Sequence, residues 1–191
     1  MSSDLKKGKL FVISAPSGTG KTTLADRLTE EIPSVIRSVS WTTRKAREGE
    51  SDGVDYTFVS RDEFQKAVTD GEFLEYAEIY GYLYGTNRGW VEKRLNQGLH
   101  VLLVIDTQGA QQIKEKTDAV LIFIQPPSFE ELERRLRGRK SESEGGVAKR
   151  LQLAKHELNL ASVYDYNIIN DDVDDAYQEL KKILIFEGRT Q

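Results

Sequence analysis

Eight residues, Ala15-Pro16-Ser17-Gly18-Thr19-Gly20-Lys21-Thr22, follow an apolar run and open a helical pattern. Their spacing is that of a phosphate-holding loop, in which a first glycine is followed after four residues by Gly-Lys-Ser/Thr. Glycines let backbone N–H groups converge on phosphate oxygens, and the helix behind them adds its positive N-terminus. Lys21 is placed to neutralise β- and γ-phosphate oxygens, and the Thr22 hydroxyl to ligate Mg²⁺. Ala15 stands where the first glycine is usual, which works only if that residue keeps a negative φ. The pattern points to a bound nucleoside triphosphate. It does not separate transfer to an acceptor from hydrolysis.

Three further clusters bear on the acceptor. Arg44 and Arg47 lie just beyond a strand, near Thr42, Thr43 and Tyr56. Two guanidiniums and a phenol can wrap a terminal phosphate with planar, bidentate donors, although an exposed basic loop fits the same residues. Glu75 sits in the apolar stretch "FLEYAEIYGYLYGT" (73–86), where a carboxylate needs a partner. Guanine offers adjacent N1–H and N2–H donors to one carboxylate, whereas adenine would leave it unpaired. Rejection of that kind can reach roughly 10⁴ in selectivity. A glutamate on an edge strand facing water fits that stretch as well. Arg139 and Arg150 flank "GRKSESEGGVAKR" (138–150), polar and glycine-containing. As a flap, that segment would carry arginines over a transferring phosphoryl group; as plain surface, it would only be solvated.

The elements that must position these groups alternate. Strand-like runs cover 10–14, 35–39, 56–60, 72–79, 100–106, 119–125 and 166–170, and helical patterns cover 21–31, 61–70 after Ser60 as N-cap, 88–97, 128–138, 147–163 and 172–187. Four runs (10–14, 101–105, 119–124 and 166–169) are continuously apolar, as strands buried on both faces are. Alternation of strand and helix implies an α/β fold with a parallel sheet covered by helices. The segment 35–98 has shorter, more polar and more aromatic strands, which suggests a partly antiparallel insertion on the edge of that sheet.

Bulk properties narrow the classes. A chain of 191 residues fits one domain, and 38% hydrophobic with 30% charged residues supports a packed core under a solvated surface. The longest apolar runs are far shorter than the ~20 residues that span a bilayer. The polar N-terminus has no signal-peptide core, and the absence of cysteine removes disulfides and thiolate sites; cytoplasmic placement follows as an expectation. A net charge of −4 argues against a broad nucleic-acid face. His100 and His156 lack acid–base partners in sequence and read as structural, and Trp41 and Trp90 read as packing groups.

Taken together, the chain resembles the guanylate kinase family. "SAPSGTGKTTL", "SVSWTTRKAREGE", "DGVDYTFV", "FLEYAEIYGYLYGT", "IDTQGAQQI" and "YNIINDD" occur in that family's order and spacing, over nearly the whole chain. The resemblance implies a P-loop NTPase-type α/β fold, a parallel sheet flanked by helices. It implies a core (1–34, 99–137, 158–191), a small mixed α/β GMP-binding insertion (35–98) and a lid (138–157). It implies transfer of the ATP γ-phosphoryl group to GMP, with Mg²⁺ accompanying ATP. The loop Ala15 to Thr22, with Thr23 and an Asn170 near the adenine, would bind ATP; Ser40, Glu75 and Thr86 would surround the guanine. Arg44, Arg47, Tyr56 and Tyr84 would hold the GMP phosphate, Asp106 would face the acceptor, and Arg139 and Arg150 would reach the transferring phosphates. Catalysis would fall to Lys21, Arg44, Arg139 and Arg150. The expected partners are small molecules only, in a monomer or weak homo-oligomer. Two departures stand out: Val104 replaces a frequent acidic residue two before Asp106, and Lys140 replaces a common lid glycine. The competing readings are a non-catalytic peptide-binding module of this fold, which the intact Lys21-Thr22 disfavours, and a kinase for AMP, dTMP or a ribose bisphosphate.

Overall fold

A computed structural model describes residues 6–138 and 144–189. Strand β1 (Leu10–Ser14) is the centre of the molecule, and all its residues are buried. Its odd and even side chains enter different cores, which is why the run is apolar up to Ser14. Phe11 and Ile13 pack with Leu24 and Leu28 of α1 (Lys21–Glu31) and with Tyr177 and Leu180 of α7 (Val173–Arg189). Leu10 and Val12 pack with Val91 and Leu95 of α3 (Arg88–Asn96) and with Ala110 and Ile113 of α4 (Thr107–Lys116). Fully burying one such aliphatic side chain stabilises by roughly 1.5–3 kcal/mol.

Parallel partners flank β1. On one side lie β7 (His100–Val104) and then β2 (Val35–Arg37); on the other lie β8 (Val120–Gln125) and then β9 (Tyr166–Ile169). The chain leaves β1 towards one edge and β8 towards the other, so a crevice opens beyond the carboxyl ends of the central strands. That is where the glycine-rich loop sits.

A second sheet has the order β4-β3-β6-β5, from β3 (Trp41–Thr42), β4 (Thr57–Phe58), β5 (Phe73–Ile79) and β6 (Tyr82–Asn87). Helix α2 (Arg61–Thr69) packs Phe64 and Ala67 on Phe73 and Leu83. Ser60 caps it as expected, in a reciprocal capping box with Glu63. Helices α5 (Phe129–Arg137) and α6 (Glu144–Asn159) share a smaller core of Leu132, Leu136, Val147 and Ala154.

Several expectations are corrected. The insertion does not extend the edge of the main sheet; it forms its own sheet, while Val35–Arg37 pairs with β7 in the main one. Strand β9 is an edge strand rather than one buried on both faces: Ile168 is buried, but Ile169 faces out. Helix α6 starts at Glu144, inside the expected flap, and ends at Asn159 before a short 3₁₀ turn, Ala161–Val163. Strands β3 and β6 and helix α4 were not anticipated.

Candidate active site

The loop after β1 is shaped by two left-handed glycines, Gly18 (φ 94°) and Gly20 (φ 89°). It is braced from behind. The Thr19 hydroxyl donates to the Pro16 carbonyl at 2.9 Å, and Asn170 Nδ2 donates to the Thr19 carbonyl at 2.7 Å. A Cβ on Gly20 would lie 2.6 Å from that amide nitrogen, so only glycine fits. Gly20 caps α1 without a side-chain hydrogen bond, which leaves the first-turn N–H groups available to an anion. Lys21 Nζ folds back to the Ala15 carbonyl at 3.2 Å. Ala15 needs no left-handed backbone: among the described residues, Tyr80 alone combines a side chain with a positive φ.

In front of this loop lies a cleft of about 390 Å³. Lys21, Thr22 and Thr23 line it from the start of α1; Ser40, Arg47, Tyr56 and Tyr84 come from the second sheet and its connections; Val104 ends β7, with Ile105 and Asp106 just beyond; Arg150, Leu153 and Glu157 come from α6. Glu75 enters through a β-bulge. Phe73 pairs with Asn87 and Glu75 with Thr86, so Leu74 is extra and three consecutive side chains are buried. A bulge of this kind re-aims a side chain: Phe73 joins the core of the second sheet, Leu74 that of the main sheet, and Glu75 the cleft.

Glu75 is only 2% exposed and accepts a 2.6 Å hydrogen bond from the Thr86 hydroxyl. Burial pushes its carboxyl up to about 7; the Thr86 bond opposes this and the charge of Asp106 adds to it. Helix α4 passes so close that a Cβ on Gly109 would stand 2.4 Å from Glu75 Oε2. Asp106 caps that helix, one of its oxygens accepting from the N–H groups of Gln108 and Gly109. On the opposite wall Glu50 receives both Arg44 Nη atoms (2.8 and 2.9 Å) and the Arg47 N–H. Glu50 holds the Arg44 guanidinium firmly protonated, and its carbon lies 5.2 Å from the Tyr56 ring centroid. Tyr56 meets Tyr84 edge-on at 5.9 Å, and burial raises its hydroxyl pKa. Arg150 Nη1 donates to Ser17 Oγ at 2.8 Å.

Known proteins are similar to this chain over nearly its whole length. The guanylate kinase family model matches residues 7–187. A guanylate kinase of Protochlamydia amoebophila (strain UWE25) is 53% identical over 182 residues, 95% of this chain and 92% of that relative. One from Vibrio cholerae serotype O1 (strain ATCC 39315 / El Tor Inaba N16961) is 51% identical over 188 residues, 97% of this chain and 91% of that relative. The chain belongs to the guanylate kinase family. In three dimensions, the crystal structure of guanylate kinase from Anaplasma phagocytophilum superposes with a TM-score of 0.82 at 38% identity, covering 97% of this chain and 89% of that one. The α/β fold with a helix-flanked parallel sheet is that of the family.

Of the site residues expected from sequence, Ala15, Ser17, Gly18, Gly20, Lys21, Thr22, Thr23, Ser40, Arg47, Tyr56, Glu75, Tyr84, Asp106 and Arg150 meet around one cleft. Others stand behind its walls. Pro16 and Thr19 shape the loop, Arg44 is closed against Glu50, and Thr86 is fully buried behind Glu75 with its proton directed there. Asn170 is buried against the loop backbone, so it braces rather than lines the site. Arg139 and Lys140 lie outside the described residues.

Glu157 was missed. It is buried, lines the cleft, and has a carboxyl pushed up to about 7 by burial, against the pull of Lys21 and with a push from Asp106. With Val104 in place of an acidic residue, β7 leads to the single carboxylate of Asp106, and α6 brings Glu157 into the same cleft. Its signal was helical spacing: Arg150, Leu153 and Glu157 recur on one face of α6.

Proposed function

We propose that the cleft passes the terminal phosphoryl group of ATP to GMP, and to dGMP, giving ADP and GDP. Glu75 carries this reading. Its carboxylate lines the same cleft as Lys21 and is steadied by Thr86, so it can take the paired N–H edge of guanine while the acceptor phosphate points at the loop. Adenine and thymine lack that donor pair and would leave the buried Glu75 oxygens without their hydrogen-bond partners.

The GMP phosphate has a second pKa of about 6 and is largely ionised at neutral pH, so the acceptor oxygen needs no general base. Catalysis then consists of alignment and charge neutralisation. The loop N–H groups and Lys21 hold the triphosphate. Arg47, Tyr56 and Tyr84 hold the acceptor phosphate, and Arg44 adds its charge behind Tyr56. Arg150, with Arg139, stabilises charge on the moving phosphoryl group. Asn170 serves ATP through the loop that it braces.

Mg²⁺ fits as a nucleotide-borne ion. Thr22 offers a hydroxyl in the first turn of α1, facing the cleft with Asp106 and Glu157, while no cluster of three or more metal-binding side chains exists among the described residues. An ion held by phosphates, water and one hydroxyl is what Mg²⁺ prefers, and it would neutralise phosphate charge there.

In this reading the main sheet and its helices are the core, 35–98 carries the acceptor site with Val35–Arg37 left to the core, and 138–157 forms a lid that excludes water. No helix among the described residues is long and apolar enough to cross a membrane, and the proposed setting is the cytoplasm, as a monomer or weak homo-oligomer.

The test is Glu75→Gln. GMP turnover (kcat/KM) should fall by about 10² or more and the preference for GMP over AMP should collapse, with ATP affinity and melting temperature retained. Unaltered discrimination between GMP and AMP would remove Glu75 from the base site.

A further inference from the structure

The hairpin joining β5 to β6 is built against its own preference. Ile79 pairs with Tyr82 across a two-residue turn, Tyr80-Gly81, with φ of 52° and 83°. Two positive φ values define a type I′ turn, whose first position favours Asn, Asp or Gly. A tyrosine there crowds its Cβ against the following carbonyl, and it is the sole non-glycine so placed among the described residues. Its ring is not buried in return, being 52% exposed. Packing therefore does not explain the residue.

What the ring does meet is Arg150. The guanidinium carbon lies 5.8 Å from the Tyr80 centroid, inside cation–π range, and Tyr80 and Arg150 both line the cleft. The same guanidinium donates to Ser17 Oγ in the phosphate-holding loop. One arginine of α6 thus touches both the second sheet and the loop after β1.

We infer that Tyr80 is a positioning residue: its ring, held over the cleft by a strained turn, steers Arg150 to the place where the phosphoryl group crosses. This rests on the ATP-to-GMP reading. Because the turn belongs to the sheet that carries Glu75, a shift of the acceptor wall carries the ring, and with it the arginine. At 5.8 Å the contact is near the outer limit of such attractions, so closure of the hairpin on α6 strengthens it.

Strain and function pull in opposite directions here, which makes the inference testable in the full chain with Tyr80→Asn and Tyr80→Phe. Asparagine suits the left-handed turn and lacks the ring, so the melting temperature should rise by about 2–4 °C. At the same time kcat should drop about tenfold, with KM for both nucleotides unchanged. Tyr80→Phe keeps the ring and should match the parent in both. In ¹⁵N-labelled protein without nucleotide, the Arg150 side-chain resonance should move in Tyr80→Asn and stay in Tyr80→Phe.

An Arg150 resonance indifferent to loss of the ring overturns the inference, as does a Tyr80→Asn variant with parental kcat. A Tyr80→Asn variant that loses both activity and melting temperature assigns the tyrosine to folding and overturns it too. If the parent makes no ADP with GMP, the functional reading fails, and the resonance arm still decides whether the ring positions the arginine.

Discussion

At the position of Glu75 burial keeps a proton on the carboxyl up to about pH 7, whereas in the proposed function the N–H edge of guanine binds the ionised form. Base binding must therefore expel a proton. Calorimetry of GMP binding at pH 7, in buffers of differing ionisation enthalpy, should show release of roughly half a proton, against about a tenth from the GMP phosphate. Release no larger than the phosphate alone supplies would place the guanine elsewhere. For stability the sign is the reverse of an ordinary ion-paired acid. Glu75 and Glu157 are raised from 4.5 to about 7, so their contributions are full below pH 4.5 and are lost as pH rises through 7. Lys21, Thr22 and Glu75 line one cleft; the local stretch of each drew attention to it, by a loop spacing in one case and a carboxylate amid apolar residues in the other, although burial of Glu75 rather than exposure on an edge strand was left to the fold. Glu157 was not legible in sequence, because its role depends on which face of α6 meets the cleft. Nor was the closure of Arg44 on Glu50, which a fold of the intervening loop brings about.

Helix α4 shows how an element can set a single atom. It approaches β5 so closely that Gly109 lies against Glu75 Oε2, while Asp106 caps its start and Lys116 reaches the Leu74 carbonyl near its end. Alanine within a helix ordinarily gains about 0.5–1 kcal/mol over glycine. Gly109→Ala should instead leave the melting temperature nearly level, since the Glu75 carboxylate yields to the new methyl. The KM for GMP should rise about tenfold with the KM for ATP unchanged, read from steady-state kinetics with each substrate varied. An unmoved KM for GMP would separate Gly109 from the base site. The sequence concealed this helix: "TQGAQQIKEK" is polar and holds a glycine, and its inward stripe is little more than Ala110 and Ile113. Strand β3 has only two residues, and β6 contains Gly85, which reads as a turn yet is favoured because a Cβ there would stand 2.9 Å from the Phe73 ring and 3.0 Å from the Phe64 ring. By contrast β1 and α1 were plain, one an apolar run up to Ser14 and the other a steady helical period behind the glycine-rich loop.

On the scale of the whole molecule, three packed units converge: the main sheet with a core on each face, the second sheet, and the α5–α6 pair. The main sheet presents the phosphate loop, the second sheet presents Glu75 and the tyrosines, and the α5–α6 core presents Arg150 and Glu157. Parallel-sheet topology was legible because alternating strands and helices leave few other arrangements. The independence of the second sheet was not, since pairing partners far apart in sequence leave no local mark. Against a net charge of −4, the cations that face the cleft, Lys21, Arg47 and Arg150, are a local construction beside the carboxyl groups of Glu75, Asp106 and Glu157. Convergence of the three units has a direct consequence: phosphoryl transfer should depend on an acceptor with the guanine edge and be nearly silent without one. Coupled measurement of ADP formation with ATP–Mg²⁺ and, in turn, GMP, dGMP, AMP, dTMP or no acceptor tests this most directly. Rapid turnover with GMP and dGMP, at least about 10²-fold above AMP and dTMP, is the expected result. Comparable rates with AMP, or ADP released as fast without any acceptor, would contradict it.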